Sequence, residues 1–314
     1  MPGKKASPFP LMPVLRPGQR IALITSHRLG DALLSMIVVH NLRREGYEVE
    51  VFSQVLFSLK EWFPGLKVLP FEALENKAPA YDHIWFERPN RRVKELPSPG
   101  SGGMVILKKS PPYASNEPMH RVHQRVCRDL LGIERPVAEN GLVVPEWIRN
   151  KKKSNRIAIH PTSSSRFKNW PLRRFLRLAQ KLIDQGFEVE FIVSPEEARA
   201  VQTIRLAGRE SYVQADLSLV AARLSTASWF IGNDSGLGQL ASNVGTPTLT
   251  LFPVSRKAQR WRPCWSASAV VLPRLSEKWP ELVRHLFWKY AIKPDQVLRV
   301  FERFYQDEQQ QGKV

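Results

Sequence analysis

Three polar turns in this sequence carry residues able to do chemistry, and each directly follows a short apolar run. In the last, Trp229-Phe230-Ile231 leads into Gly232-Asn233-Asp234-Ser235-Gly236 and a short helix of small residues, then Gly245-Thr246-Pro247 and a second apolar run, Thr248 to Phe252. Free N–H groups at a helix start, the Ser235 hydroxyl and the missing Cβ at Gly236 make a turn that can wrap a phosphate. The same Asp and Ser also suit an ordinary helix cap, and the turn alone does not separate the two readings. The first turn, Ser26-His27-Arg28-Leu29-Gly30-Asp31, places a carboxylate at a helix start, four residues after a histidine. The middle one, Pro161-Thr162-Ser163-Ser164-Ser165-Arg166-Phe167-Lys168, is rich in hydroxyls and ends on a lysine.

The elements that must hold these turns repeat. Arg20 to Thr25 reads as a strand, Ala32 to Glu45 as an amphipathic helix closed by Gly46, and Tyr47 to Phe52 as the next strand, which is one βαβ crossover. Leu66 to Pro70 and Tyr81 to Phe86 continue the pattern less clearly, because Pro and Gly interrupt it. Glu87 to Ser110 is basic and loop-like, and Pro118 to Leu131 reads as a basic helix. Arg156 to His160 then repeats the first strand, followed by a helix from Trp170 to Gln185, a strand from Phe187 to Val193 and a helix start at Ser194-Pro195-Glu196-Glu197. In such α/β sheets ligands sit at the carboxyl ends of the strands. Pro253 to Trp265 mixes arginines with tryptophans, a loop able to stack on a base or hold phosphates, or equally to be anchored by its tryptophans. From Glu277 to Phe304 one or two helices place Trp279, Leu282, Leu286, Phe287, Trp288 and Tyr290 at apolar positions, a spacing that predicts core packing. The expected organisation is a flexible tail over 1–17, an α/β domain over 18–148, a second over 149–275 joined through a Lys151-Lys152-Lys153 linker, and terminal helices over 276–314 packed back on the body.

With 314 residues, 43% of them hydrophobic, the chain can bury a substantial core in about two domains. Its formal net charge of +18 points to an acidic partner, with nucleic acid, an anionic membrane face and phosphorylated substrates all qualifying. Cys127 and Cys264 are the only cysteines. They have no metal-ligand spacing and form no disulfide framework, so a reducing cytoplasm fits best. The prolines at 8, 10 and 13 break any signal-peptide core, and no run approaches the roughly 18 apolar residues of a spanning helix. Any membrane contact is expected to be peripheral. No nucleic-acid-binding motif is present, and the basic residues are scattered over both halves, which argues against a specific nucleic-acid partner.

Taken together, Leu29-Gly30-Asp31, the segment from His160-Pro161 through Lys168-Asn169-Trp170-Pro171, and Asn233-Asp234-Ser235-Gly236-Leu237 with Gly245-Thr246-Pro247 resemble glycosyltransferase family 9, the bacterial heptosyltransferases of the lipopolysaccharide inner core. The resemblance spans about residues 20 to 265. It implies the GT-B architecture, two Rossmann-like domains facing a central cleft, with the acceptor on the N-terminal one and a nucleotide-sugar donor on the C-terminal one. It implies that the enzyme is an inverting glycosyltransferase, with ADP-heptose as donor, the anionic, phosphorylated or Kdo-bearing core as acceptor, no cofactor and no required metal.

By the same resemblance Asp31 falls at the catalytic base position, where the helix dipole favours the charged carboxylate that a base requires. An N-cap role remains its alternative. Lys168 falls at the diphosphate-binding lysine, with Thr162, Ser163 and Ser164 as hydroxyl donors, and Asp234, Ser235 and Gly236 at the phosphate- and sugar-contacting turn. A donor-side acidic residue that holds the ribose corresponds to Glu196 or Glu197. The family commonly has a histidine where this chain has Gln239, a side chain that can donate a hydrogen bond but cannot carry a proton or charge. That departure bears on donor identity. His27, Arg28, Arg91, Arg92 and Arg121 are the expected acceptor-binding groups, and the basic first half would attract both the acceptor and the anionic cytoplasmic face of the inner membrane. Two other readings stay open: a glycosyltransferase of the same fold using a different nucleotide sugar, and a noncatalytic binder of nucleotides or nucleic acid.

Overall fold

The computed structural model describes residues 15–16, 18–88, 103–148, 155–275 and 280–311. Residues 1–14 and 17 of the expected tail, the Lys151-Lys152-Lys153 linker, Arg91, Arg92 and Trp279 lie outside the described residues, as do the side chains of Leu282 and Leu286. The chain divides into two compact units, Met1–Gly141 and Leu142–Val314.

In the first unit β1 (Arg20–Ile24) runs into α1 (Leu29–Arg44) and β2 (Glu48–Phe52). A single turn α2 (Gln54–Phe57), then β3 (Lys67–Leu69), β4 (His83–Phe86) and β5 (Gly103–Ile106) complete a parallel sheet in the order β3-β2-β1-β4-β5. Ile21 to Ile24 and all four residues of β4 are buried, as expected of parallel strands covered on both faces. The amphipathic expectation for α1 is corrected by its burial, for residues 31 to 39 together with Asn41 and Leu42 are all inside. The sheet covers one side of α1, and α3 (Met119–Arg125) packs on another, so an apolar stripe alone would not suffice. Asn41 fixes α1 to the following chain: its Nδ2 donates to Val137 O at 2.9 Å and its Oδ1 accepts from Val137 N at 2.8 Å. The helix expected over 118–131 is instead α3 continued by a π-helical turn, Val126–Leu130, and Gly132, at φ +70°, turns the chain away.

The second unit runs β6 (Arg156–His160), α4 (Leu172–Asp184), β7 (Glu188–Val193), α5 (Ala198–Leu206), β8 (Ser211–Val213), α6 (Leu217–Ser225), β9 (Trp229–Asn233), α7 (Gly236–Asn243), β10 (Thr248–Leu251), α8 (Ser255–Trp261), β11 (Ser268–Val271), α9 (Glu281–Ala291) and α10 (Pro294–Gln310). All six strands are parallel in the order β11-β10-β9-β6-β7-β8. Trp229 meets Phe301 and Phe304 edge-on, with ring centroids 5.5 and 5.2 Å apart, so α10 closes the core beneath the sheet. The carbonyls at the end of α9 are capped from α4 and the loop before it: Trp170 Nε1 donates to Ile292 O at 3.0 Å, and Arg174 Nη1 of α4 donates to Lys289 O, Tyr290 O and Ile292 O. These bonds satisfy acceptors that the helix leaves open. Trp288 is fully buried, but Phe287 and Tyr290, expected in the core, are 50% and 51% exposed. At 100° per residue they lie off the face that carries Trp288, which is turned inward.

Candidate active site

Both sheets change direction once. In the first, β2 lies on one side of β1 and β4 on the other; in the second, β7 lies on one side of β6 and β9 on the other. A crevice opens at the carboxyl ends of strands where such a reversal occurs. The polar turns singled out in the sequence follow β1, β6 and β9, which are strands at these two reversals.

In the first unit Asp31 sits in the first turn of α1 and is 8% exposed. No side chain caps α1 at Arg28. The Asp31 Oδ2 accepts from Arg88 Nη2, while Arg88 Nε donates to Glu87 Oε1 at 3.3 Å. Glu87 and Arg88 follow β4, so the guanidinium joins carboxylates from both strands of the reversal. The second Glu87 oxygen accepts the Ser26 N–H at 2.8 Å, and Ser26 Oγ accepts the Arg28 N–H at 3.1 Å, which pins the loop leading into α1. Glu87 is 3% exposed. Burial first, and then the neighbouring Asp31 carboxylate, push the Glu87 carboxyl up to about 7, against the opposing effects of Ser26 N–H and Arg88. Lys108, close to the same carboxylates, is held below the usual lysine range by burial and by Arg88. Tyr113 closes the cluster: its hydroxyl bonds to His123 Nε2 at 2.9 Å and His123 Nδ1 to Met119 O at 2.7 Å. A carbonyl only accepts, so Nδ1 carries a proton, and in the neutral ring Tyr113 donates to Nε2.

In the second unit Lys168 Nζ lies 2.7 Å from Asp234 Oδ2, with Lys168 about a third exposed and Asp234 nearly buried. Ser235 is the N-cap of α7 and accepts the Gly238 N–H at 3.4 Å. Asn233, fully buried, holds the turn: its Oδ1 accepts from Trp170 N at 2.9 Å and its Nδ2 donates to Pro161 O at 2.8 Å. One amide thus ties the end of β9 to both ends of the loop after β6. Gly232 lets these strands pair, because a Cβ there would stand 2.9 Å from the Phe230 ring and 3.0 Å from His160 O. His160 is the hub of a chain of bonds. Its Nδ1 is 3.4 Å from Ser235 Oγ, its Nε2 is 3.0 Å from Thr162 Oγ1, and Thr162 donates to Glu197 Oε1. Glu197 Oε2 also accepts the Ser194 N–H at 2.7 Å. Burial alone would raise the Glu197 carboxyl, but bonds from His160, Thr162 and Ser194 outweigh it and hold the group below its ordinary range. The loops after β6, β7 and β9 are therefore cross-linked around a charged carboxylate.

The geometry brings Thr162, Glu197 and Ser235 together through His160, and brings Lys168 to Asp234 beside Gly236. Ser163 Oγ is engaged within its own loop, donating to Asn169 Oδ1 at 2.6 Å, whereas Ser164 is exposed. Glu196 is exposed and takes no part in these bonds, which separates it from Glu197. Gln239 is 5% exposed; its Nε2 donates to Trp261 O at 2.7 Å, and its Oε1 is buried with no partner among the described residues. His27, Arg28 and Arg121 are exposed on unit one, in the loop before α1 and on α3. Sequence reasoning missed Glu87, Arg88 as a partner of Asp31, Tyr113, His160 and Asn233. The first two were open to a rule already in use, since they directly follow a buried strand. Among the described residues no group of three His, Cys, Asp or Glu is arranged to hold a metal ion, and no helix is long and apolar enough to cross a membrane.

The match of residues 123–287 to the model of glycosyltransferase family 9 (heptosyltransferase) covers more than half of the chain; the protein belongs to this family. The curated relative lipopolysaccharide heptosyltransferase 3 of Escherichia coli is 27% identical over 161 residues, 45% of this chain and 45% of the relative. That similarity spans under half the length of the curated protein. The crystal structure of a family 9 glycosyltransferase from Veillonella parvula is similar with a TM-score of 0.73 at 17% identity, covering 93% of this chain and 99% of that one. The structure of E. coli ADP-heptose lps heptosyltransferase II gives 0.69 at 19% identity, over 92% and 99%. E. coli heptosyltransferase WaaC with ADP gives 0.67 at 14% identity, over 91% and 99%. At these identities the likeness is one of fold, two parallel α/β sheets of GT-B type.

Proposed function

We propose that this protein is an inverting glycosyltransferase that moves a heptose, or a related sugar, from a nucleoside-diphosphate donor to the anionic inner core of lipopolysaccharide. Family membership supports the reaction class. The observation that carries the donor assignment is Lys168 Nζ, 2.7 Å from Asp234 Oδ2 beside the N-terminus of α7. The carboxylate positions the ammonium, and the first N–H groups of α7 add their partial positive charge, so a diphosphate meets both. Glu197, charged and tied to Thr162, is the acceptor expected for donor hydroxyls. Gln239 acts from behind this turn, through its bond to Trp261 O. ADP-heptose is the proposed donor, in line with relatives whose structures hold ADP and an ADP-heptose analogue.

In the step itself Asp31 takes the proton of the acceptor hydroxyl. The freed oxygen bonds to the anomeric carbon from the face opposite the diphosphate, and the carbon–oxygen bond to the diphosphate breaks. The electron pair leaves on the nucleoside diphosphate, whose growing charge is met by Lys168 and the α7 N–H groups. The configuration at that carbon inverts, and no step calls for a metal. Exposed Arg28 and Arg121 supply positive charge, and exposed His27 a hydrogen-bonding ring, for the phosphates or carboxylates of the acceptor; Arg91 and Arg92 are further basic candidates from the sequence. The net charge of +18 suits a peripheral place on the anionic cytoplasmic face of the inner membrane.

Calorimetric titration with ADP, ADP-heptose and UDP- and GDP-sugars, on wild type and Lys168→Ala, tests this reading. ADP species are expected to bind selectively, and K168A to weaken them roughly 10- to 100-fold, the worth of a charge-assisted hydrogen bond. Preference for another nucleotide would keep the site and change the donor; no nucleotide binding at all would overturn the reading in favour of the noncatalytic class.

A further inference from the structure

The arrangement around Asp31 contains more than a base and its partner. Arg88 offers different nitrogens to two carboxylates, Nη2 to Asp31 and Nε to Glu87. Glu87 is the more deeply buried of the two, and its second oxygen is fixed by the Ser26 N–H of the loop that enters α1. Its backbone is fixed as well: Glu87 N donates to Ile24 O at 2.9 Å and Glu87 O accepts from Lys108 N at 3.0 Å. Strand β4 therefore delivers a rigid carboxylate to the far side of the guanidinium that Asp31 uses.

We infer that Glu87 is a positioning residue for Asp31: through the guanidinium they share, its charge sets how strongly Asp31 holds a proton. This rests on the reading of Asp31 as the base. When Glu87 is neutral, Arg88 belongs to Asp31 alone and its positive charge opposes protonation of that carboxylate. When Glu87 is ionised, the guanidinium is divided between two anions, so less of its charge is spent on Asp31 and that carboxylate is freer to take the acceptor proton. The charged and titratable groups around Glu87 are Asp31 from α1, Arg88 beside it, Lys108 after β5, and Tyr113. Burial, helped by Asp31, brings the change in Glu87 charge close to neutral pH, where a modest change in acidity decides which form is present.

The test is the pH profile of sugar transfer from pH 5.5 to 8.5 in wild type and Glu87→Gln. Gln keeps an oxygen for the Ser26 N–H but has no proton to lose. Wild type is expected to gain roughly three- to tenfold in rate through about pH 7, and E87Q to lose that rise. Titration of substrate phosphates is common to both proteins and cancels in the comparison. An E87Q profile parallel to wild type at a lower level would mean a merely structural role and would overturn the inference. Should E87Q fail to fold, the coupling can be read in the other direction by carboxyl-carbon NMR of wild type and Asp31→Asn. Removing the Asp31 charge is expected to lower the pH at which Glu87 titrates, and an unmoved Glu87 would overturn the inference equally. The two readings fail separately: D31N transferring sugar at the wild-type rate ends the base assignment, whereas an inactive D31N with an unchanged E87Q profile ends only the role of Glu87.

Discussion

A buried carboxyl whose proton is held to about pH 7, as in Glu87, has a consequence for folding as well as for rate. Its folded value lies above the ordinary 4.5, so the folded state binds the proton more tightly than the unfolded chain. The resulting stabilisation is fully present below pH 4.5 and is lost as pH rises to about 7. Relative to E87Q, wild type should therefore lose up to about 3 kcal/mol across that window, read as the pH dependence of the difference in urea midpoints. A difference that is flat with pH would mean that Glu87 titrates normally in the fold. Asp31 and Lys168, whose roles remain proposals, were singled out in the sequence through the family resemblance of the turns that hold them. Glu87 was not: its chemistry depends on Asp31, from the neighbouring strand, and on burial that no local pattern announces. His160 escaped for the same reason, since its partners Ser235 and Glu197 arrive from other strands.

At the scale of the elements, the turn after β9 depends on strand pairing as much as on its own residues. Gly232 lies opposite His160 in register, with the Phe230 ring beneath it. Replacing it with Ala would press a methyl on a backbone carbonyl that cannot move without breaking the sheet. Gly232→Ala should cost about 1–3 kcal/mol, seen as a lower thermal midpoint, and should weaken ADP binding because Asp234 and Ser235 follow directly. An unchanged midpoint would show that the β6–β9 approach is looser than described. The strands β1, β2, β6, β7, β9 and β10 could be read from short apolar runs bounded by glycine or polar turns. Strands β5, β8 and β11 could not, for they are three or four residues long with partly exposed neighbours, and their pairing comes from the sheet edge. The reading of α1 as amphipathic failed because an element covered on more than one side carries no clean stripe. Phe287 and Tyr290 failed in the opposite sense, as apolar residues on the uncovered side of α9.

Over the whole molecule one scheme is used twice: a parallel sheet reverses its strand order once, and the loops at the reversal hold the residues of the proposed site. This duplication was plain in the sequence, since the run Arg156 to His160 repeats Arg20 to Ile24 and each leads to a polar turn and a helix. What the sequence could not supply was strand order, and with it the knowledge that β4 lies beside β1 and β9 beside β6. The scheme assigns proton removal to the first unit and donor binding to the second, so a single substitution should separate the two functions. The decisive measurement is transfer of heptose from ADP-heptose to a lipopolysaccharide-core acceptor by wild type and Asp31→Asn, with donor affinity measured on the same preparations. D31N is expected to bind ADP-heptose as wild type does and to transfer it roughly 10²- to 10⁴-fold more slowly, the worth of a general base. Transfer by D31N at the wild-type rate would contradict the account.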